Sequence, residues 1–222
     1  MSRVLKFLTG TIGQKVLMGL TGLALIGFLA THMSANLLVF VGPGAYNAYS
    51  HSLTSNPLIY LAEAGLAALF VAHLVSGIRV WLRNRAARPV AYQMKKRAGH
   101  TSHKSLASTT MILTGLVLLV FVPLHIRMFK FGPHYETPGE PGIRDLHRLV
   151  IEDFQNPLLV AWYVLAMGVV GFHLWHGFGS AFDSLGVAHR PAIRRTGQIV
   201  ALAIAGGFTL VPVVVFFTGG RL

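Results

Sequence analysis

The sequence has 222 residues, of which 53% are apolar and only 12% are charged, and its formal net charge is +12. Soluble domains carry about a quarter charged residues, so this composition excludes an ordinary soluble domain and indicates an integral membrane protein. There are no cysteines, which excludes disulfides, thiolate-bound iron–sulfur clusters and covalent haem attachment through a C-x-x-C-H motif.

Five apolar runs are long enough to cross a bilayer, which needs roughly 20 residues. They lie near residues 14–41, 57–82, 106–127, 157–182 and 196–218. None of them alternates like a strand, and backbone polar groups in lipid must be satisfied internally, so all five are predicted to be helices. Little sequence remains between them. Residues 1–222 are therefore predicted to form a single all-α membrane domain.

The distribution of charge predicts the orientation of these helices. Lysines and arginines are concentrated before the first run, between the second and third, and between the fourth and fifth. Residues 42–56 carry no Lys, Arg, Asp or Glu, whereas residues 127–156 hold five of the seven acidic residues. The positive-inside rule then predicts a cytoplasmic N-terminus and an external C-terminus. This pattern attributes the net positive charge to membrane topology rather than to nucleic-acid binding. The basic segment 83–105 is also predicted to dock a soluble partner. The first run lacks a small-residue cleavage site and is predicted to be a retained helix.

Four histidines, His32, His73, His125 and His173, lie singly in four different apolar runs. A single imidazole in lipid can be a hydrogen-bonded core residue, but one in each of four helices favours a shared cofactor. By helix rise, His32 lies roughly 27 Å beyond residue 14, level with His125 near the outer surface. His73 and His173 lie roughly 24 Å along the inward-running helices, near the cytoplasmic side. We predict a four-helix bundle that binds two b-type haems, one at each level.

The inner level has a rival ligand and two glycines of interest. His176 lies one helical turn beyond His173 and is another candidate ligand, but it sits deeper and matches His73 less well. It is otherwise expected to contact a haem propionate or a quinone. Gly77 and Gly177 each lie four residues after an inner histidine, on the same helix face, where a small residue admits a macrocycle.

Haem propionates require cations near the membrane interface. Lys15, Arg79 and Arg83 are placed for the inner haem and Arg127 for the outer one, although the same positions suit snorkelling to lipid headgroups. The first helix also spaces small residues, Gly19, Gly22 and Gly27, which admit either a neighbouring helix or a flat cofactor. The remaining histidines fall in loops and are predicted to be solvated: His51, His100, His103, His134, His147 and His189.

The motifs around these histidines resemble the cytochrome b membrane-anchor subunit of succinate dehydrogenase/fumarate reductase, in the variant with one large anchor and two haems. They are Thr-His32-Met-Ser-Ala-Asn-Leu, Gly-Ala-Tyr-Asn-Ala-Tyr-Ser-His51, Phe-Val-Ala-His73, Val-Pro-Leu-His125 and Phe-His173-Leu-Trp-His-Gly-Phe-Gly-Ser-Ala-Phe-Asp-Ser-Leu-Gly. The resemblance implies bis-histidine haems, with the first and third helices sharing the outer one. It also implies a flavoprotein subunit carrying FAD and an iron–sulfur subunit, both on the cytoplasmic face of a bacterial-type inner membrane. The chain would then be the quinone-reactive arm, passing electrons between iron–sulfur clusters and a quinone, usually menaquinone, without touching succinate.

Two positions bear on proton chemistry. Some members of the family have an acid two residues before the fourth-helix ligand that assists transmembrane proton transfer, and this sequence has Gly171 there. Glu63 is the only carboxylate well inside a predicted span. A carboxyl in lipid favours its protonated form and can exchange protons with a reduced quinone, so we predict that Glu63 protonates the quinone. The alternative is a neutral Glu63 hydrogen-bonded to a neighbouring helix.

Two other functions stay open on the sequence. Quinone-linked hydrogenases and formate dehydrogenases also use multi-helix b-type anchors. A transporter or proton channel could use Glu63 and the histidines as a relay, but it would be colourless, and the broken-helix repeats typical of transporters are absent from the sequence. The sequence leaves the direction of catalysis open between succinate oxidation and fumarate reduction.

Overall fold

The computed structural model describes residues 6–7, 9–87, 110–187 and 190–221. The helices among these residues are α1 (Thr11–Asn36), α2 (Pro43–Thr54), α3 (Leu58–Ala86), α4 (Met111–Phe129), α5 (Leu146–Asp153), α6 (Pro157–Ser184) and α7 (Pro191–Phe217). A 3₁₀ turn, Leu37–Phe40, extends α1, and strands β1 (Glu136–Thr137) and β2 (Glu140–Arg144) pair antiparallel before α5.

Five of these helices are long and apolar enough to cross a membrane, namely α1 with its 3₁₀ extension, α3, α4, α6 and α7. The prediction of five membrane helices is therefore confirmed. Two of them begin before the expected residue, α1 at Thr11 and α7 at Pro191, because polar turns continue a helix beyond the apolar run that identifies it. Residues 106–109, where the third run was predicted to begin, and residues 88–105 of the basic segment lie outside the described residues.

Four of the membrane helices form a ring. Helix α1 packs along α3 on one side and along α6 on the other, and α6 also packs along α4. The fourth side, between α3 and α4, has far less contact. Helix α7 lies outside the ring against α6 and α1, and it buries Ala201, Ile204 and Val215 there.

A small cap covers the end of the ring where α1 and α4 finish. We define the cap as α2, the β1–β2 hairpin and α5, and its centre is apolar, with Leu149 and Val150 of α5 buried beside Val39 of the 3₁₀ turn. Its two helices, α2 and α5, both lie between the predicted membrane spans. The hairpin was not predicted. Its turn uses Gly139 at φ 80°, a conformation that favours glycine.

Candidate metal centre

The structure brings the four membrane histidines together as two pairs. The ring centroids of His32 and His125 are 5.9 Å apart, and those of His73 and His173 are 6.2 Å apart. The ring planes lie at 81° and 71° to each other in the two pairs. Each pair joins opposite corners of the ring of helices, α1 with α4 and α3 with α6. These are the pairs that helix rise predicts, and their role as iron ligands stays a prediction.

The two pairs occupy separate levels along the bundle. On α1, Gly22 lies against His73 and precedes His32 by ten residues, which corresponds to roughly 15 Å of helix. On α4, Thr114 contacts His173 and precedes His125 by eleven residues, or roughly 16 Å. Two independent helices therefore give the same separation between the levels.

The spacing within each pair suits two imidazoles that share one metal ion. Two metal–nitrogen bonds of about 2.0 Å, with the radius of each five-membered ring added, place opposed ring centroids roughly 6.3 Å apart. Among the described residues, no group of three or more His, Cys, Asp or Glu converges on a single point, so they do not provide the ligand set of a typical zinc site. Two opposed histidines are the protein ligands that a six-coordinate haem iron requires, because the porphyrin supplies the other four nitrogens.

The histidines at the level far from the cap are oriented through Nδ1. His73 Nδ1 lies 3.2 Å from the Met18 carbonyl oxygen and 3.3 Å from Thr21 Oγ1, and His173 Nδ1 lies 3.0 Å from Thr114 Oγ1. A carbonyl only accepts, so His73 donates from Nδ1 to Met18 and keeps its Nε2 lone pair for a metal. The Thr114 hydroxyl has a carbonyl of its own helix as acceptor, so it is able to accept from His173 Nδ1 in the same way.

The level beneath the cap uses different supports. His125 Nδ1 lies 3.1 Å from the hydroxyl of Tyr163, and its ring stacks on Phe121 at 5.7 Å. His32 stacks on Phe28 at 5.2 Å, and the amide nitrogen of Asn36 lies 3.4 and 3.5 Å from its two ring nitrogens. His32 is therefore held more by ring packing than by a directed hydrogen bond.

One glycine of α1 makes direct room for an imidazole. A Cβ on Gly22 would lie 3.1 Å from His73 Cε1, closer than ordinary carbon contacts of about 3.5–4.0 Å. The glycines chosen from the sequence for this purpose lie against thioethers instead, since Cβ atoms on Gly77 and Gly177 would be 4.0 Å from Met18 Sδ and 3.9 Å from Met111 Cε.

The cations predicted for propionates lie at the surface. Lys15, Arg79 and Arg127 are exposed, and Arg83 donates from Nη2 to the Thr9 carbonyl oxygen at 2.7 Å. Their contact with propionates stays a prediction. The rival ligand His176 is half-buried, whereas His173 is the histidine of α6 whose ring lies opposite that of His73.

Glu63 pairs with a cation at the end of a neighbouring helix. It was predicted to be a carboxyl in lipid that exchanges protons with a quinone, and it forms an ion pair with Lys130, with the two side chains 40% and 44% exposed at the surface of the bundle. Both roles considered for Glu63 stay predictions. No sequence pattern indicated this pair, because Lys130 lies just beyond the predicted end of the third apolar run.

His147 was also wrongly predicted to be a solvated loop residue. It lies in the first turn of α5, half-buried, with Nε2 3.3 Å from the Val39 carbonyl oxygen and its ring 6.0 Å from that of Tyr46. His147 therefore helps to hold the cap against the end of α1.

No protein-family model and no solved structure matches the chain. The succinate dehydrogenase cytochrome b558 subunit of Bacillus subtilis (strain 168) is 23% identical over 179 residues, which cover 80% of this chain and 81% of that protein. The chain is related to subunits of succinate dehydrogenase. The succinate dehydrogenase hydrophobic membrane anchor subunit of Halobacterium salinarum (strain ATCC 700922 / JCM 11081 / NRC-1) is 29% identical over 103 residues, covering 46% of this chain and 71% of that protein.

These relatives confirm the resemblance predicted from the histidine motifs. With the five membrane-length helices, they indicate a multi-pass membrane protein that is similar to subunits of succinate dehydrogenase. The binding of haem by this chain, its reaction with a quinone and its orientation in the membrane stay predictions.

Proposed function

We propose that the chain is the dihaem cytochrome b anchor of a succinate:quinone oxidoreductase, which passes electrons between an iron–sulfur subunit and a membrane quinone. The observation that carries this proposal is the pairing of four imidazoles at two levels, with ring separations of 5.9 and 6.2 Å. When bound, each haem supplies one-electron transfer. The imidazole nitrogens of the two histidine pairs would hold the haems, and the groups hydrogen-bonded to these imidazoles or stacked on them would orient them.

The orientation of the chain follows from its charge. We assign the cytoplasmic side to the basic end of the bundle, where α1 begins and α3 ends. His73 and His173 then hold the inner haem, and His32 and His125 hold the outer haem beneath the cap. The flavoprotein subunit with FAD and the iron–sulfur subunit dock on the cytoplasmic face. Association with these two subunits is supported by the names of both relatives, which are subunits of succinate dehydrogenase.

Glu63 is proposed to exchange protons with the quinone, which we infer to be menaquinone. Its ion pair with Lys130 joins α3 to the end of α4 across the side of the ring that is least closed by helix packing. A quinone that enters from lipid through this side reaches a carboxylate near the level of the outer pair. Glu63→Gln should abolish succinate:quinone turnover while dye-linked succinate oxidation and both haems are retained. Normal quinone turnover in this variant would remove the assignment.

The first experiment is a pyridine-haemochrome assay with reduced-minus-oxidised spectra on the purified complex. We expect two b haems per anchor chain, with one lost in His173→Ala and both kept in His176→Ala. The opposite mutant result would move one ligand to His176 and keep the function. A folded complex without haem would refute the proposal. Nickel or molybdenum in place of co-purified flavin and iron–sulfur clusters would indicate a quinone-linked hydrogenase or formate dehydrogenase instead.

A further inference from the structure

One buried polar cluster holds the cap together. The side chain of Asn47 on α2 is 1% exposed, and its Nδ2 donates to Asp145 Oδ1 at 2.8 Å and to Thr137 Oγ1 at 3.3 Å. Its Oδ1 accepts from the backbone N–H of His147 at 2.9 Å. Asp145 is 8% exposed and also caps α5 by accepting from the backbone N–H of Arg148. Asn47 therefore ties α2 to the hairpin and to the first turn of α5.

From this cluster, one path of contacts leads to His32. Tyr46 precedes Asn47 on α2, is 7% exposed, and donates from its hydroxyl to Asn36 Oδ1 at 3.1 Å. Burial raises the pKa of Tyr46 to about 12, so the phenol remains a neutral donor at physiological pH. The amide nitrogen of Asn36 lies against the ring of His32. Contact with α2 therefore helps to orient the amide of Asn36, which also donates to the backbone carbonyl oxygen of His32 at 2.8 Å.

A second path leads from the cap to His125. Phe154 directly follows α5 and is buried, and its ring lies 5.0 Å from Tyr163 and 5.9 Å from Phe129. Tyr163 holds His125 Nδ1 at 3.1 Å, and the ring of Phe129 lies 5.3 Å from that of His125. The position of α5 therefore fixes the two side chains that orient this imidazole.

The other histidine pair is supported differently. The hydrogen-bond partners of His73 and His173 are Met18, Thr21 and Thr114, all of which belong to membrane helices. A substitution within the cap should therefore change the environment of His32 and His125 and leave that of His73 and His173 unchanged.

We propose that Asn47 and Asp145 form a positioning clamp for the outer haem. Through Tyr46 on one path and Phe154 on the other, the clamp holds His32 and His125 in the relative orientation that a shared iron needs. Neither clamp residue touches the haem site, so both are positioning residues rather than ligands. The clamp depends on the proposed function, since it assumes that this pair binds haem.

The test uses the intact complex, redox titration of its haem absorbance and the ratio of haem to protein. The His32→Ala and His73→Ala variants first identify which spectral component belongs to each level. Asn47→Ala and Asp145→Ala should then shift or lose the His32-dependent component and leave the His73-dependent component at the wild-type value. Asp145→Asn keeps the acceptor oxygen and should restore the wild-type titration.

Two further variants keep the test decisive. Ser52→Ala lies on the exposed face of α2, where its hydroxyl donates only to its own helix in the contacts described, and it should change neither component. Tyr46→Phe removes one hydroxyl and should shift the His32-dependent component even if Asn47→Ala fails to accumulate. An unmoved outer component in the Asn47→Ala, Asp145→Ala and Tyr46→Phe variants, or equal disturbance of both components in them, would overturn the clamp. Absence of haem from the wild-type complex would instead overturn the proposed function.

Discussion

Substituting Gly22 by alanine should weaken haem binding at the inner level without unfolding the bundle. The added Cβ would lie 3.1 Å from His73 Cε1 and 3.5 Å from His73 Nδ1. Comfortable contact needs about 3.5–4.0 Å, so the imidazole must move by about 0.5 Å. It cannot do so freely, because Nδ1 is held 3.2 Å from the Met18 carbonyl oxygen. Disturbing the groups that orient a metal-bound histidine costs about 10–100-fold in affinity, and we expect the lower end, about tenfold.

The Gly22→Ala substitution should not lower the stability of the folded chain, although it weakens haem binding. Alanine is favoured over glycine in a helix by up to about 1 kcal/mol, so Gly22→Ala gives a helix that is at least as stable as the wild type. Gly27→Ala is the matched control. It offers the same helical gain on α1, and its Cβ would meet nothing within 4 Å. Gly27 also lies about 140° around the helix axis from Gly22.

The assay follows the loss of each b haem from the purified complex on dilution into apomyoglobin, by absorbance. We expect Gly22→Ala to release the His73-dependent component about ten times faster than the wild type does, with the other component unchanged. Gly27→Ala should behave like the wild type at both levels. Equal release from Gly22→Ala and Gly27→Ala would show that the contact with His73 does not control haem binding.

Three other outcomes can be checked on the same complex. Tyr163→Phe removes the hydroxyl at His125 Nδ1, and retention of the outer haem, measured spectroscopically, should fall about tenfold; unaltered retention would show that this bond is dispensable. Folding raises the pKa of Tyr46 to about 12, so the folded state keeps a proton that the unfolded chain loses near pH 10. The free energy of unfolding should therefore fall by up to about 2 kcal/mol as the pH rises from about 10 to 12. Thermal unfolding measured over this pH range checks the prediction, and an equal loss of stability in the Tyr46→Phe variant would exclude this tyrosine as the cause. Lys130→Met should slow quinone reduction while Lys130→Arg preserves it, with less than about 1 kcal/mol change in stability because the pair with Glu63 is exposed; equal rates in both variants would remove Lys130 from the quinone site.

The pairing of the histidines could be predicted from the sequence because it depends on helix rise alone. A membrane helix advances by a fixed distance per residue, and α3 and α6 run without interruption for 29 and 28 residues. Position in the sequence therefore converts directly into depth. Pro123 lies inside α4, and that helix nevertheless continues to Phe129, with the ring of His125 beside that of His32 as helix rise predicts.

The contacts within the cap could not be predicted in this way. Asn47 and Asp145 are 98 residues apart, and no periodicity of either segment indicates that they meet. The hairpin lies in a segment rich in glycine and proline whose composition predicts a loop, and the burial of His147 depends on Val39 and Tyr46 from distant parts of the chain. The ion pair of Glu63 is a similar case. Contacts of this kind follow from the packing of the helices and become visible only with the tertiary structure.

The poorly closed side of the ring has a consequence for biogenesis. Helix packing closes three sides, whereas α3 and α4 contact each other little. On the proposed assignment, one haem links α3 to α6 and the other links α4 to α1. A newly inserted chain that lacks haem would keep α6 and α7 packed together but would open between α3 and α4, as weakly packed segments do. Haem binding would then contribute directly to the stability of the folded bundle. The supply of haem would therefore decide whether a new chain matures or is removed by membrane proteases.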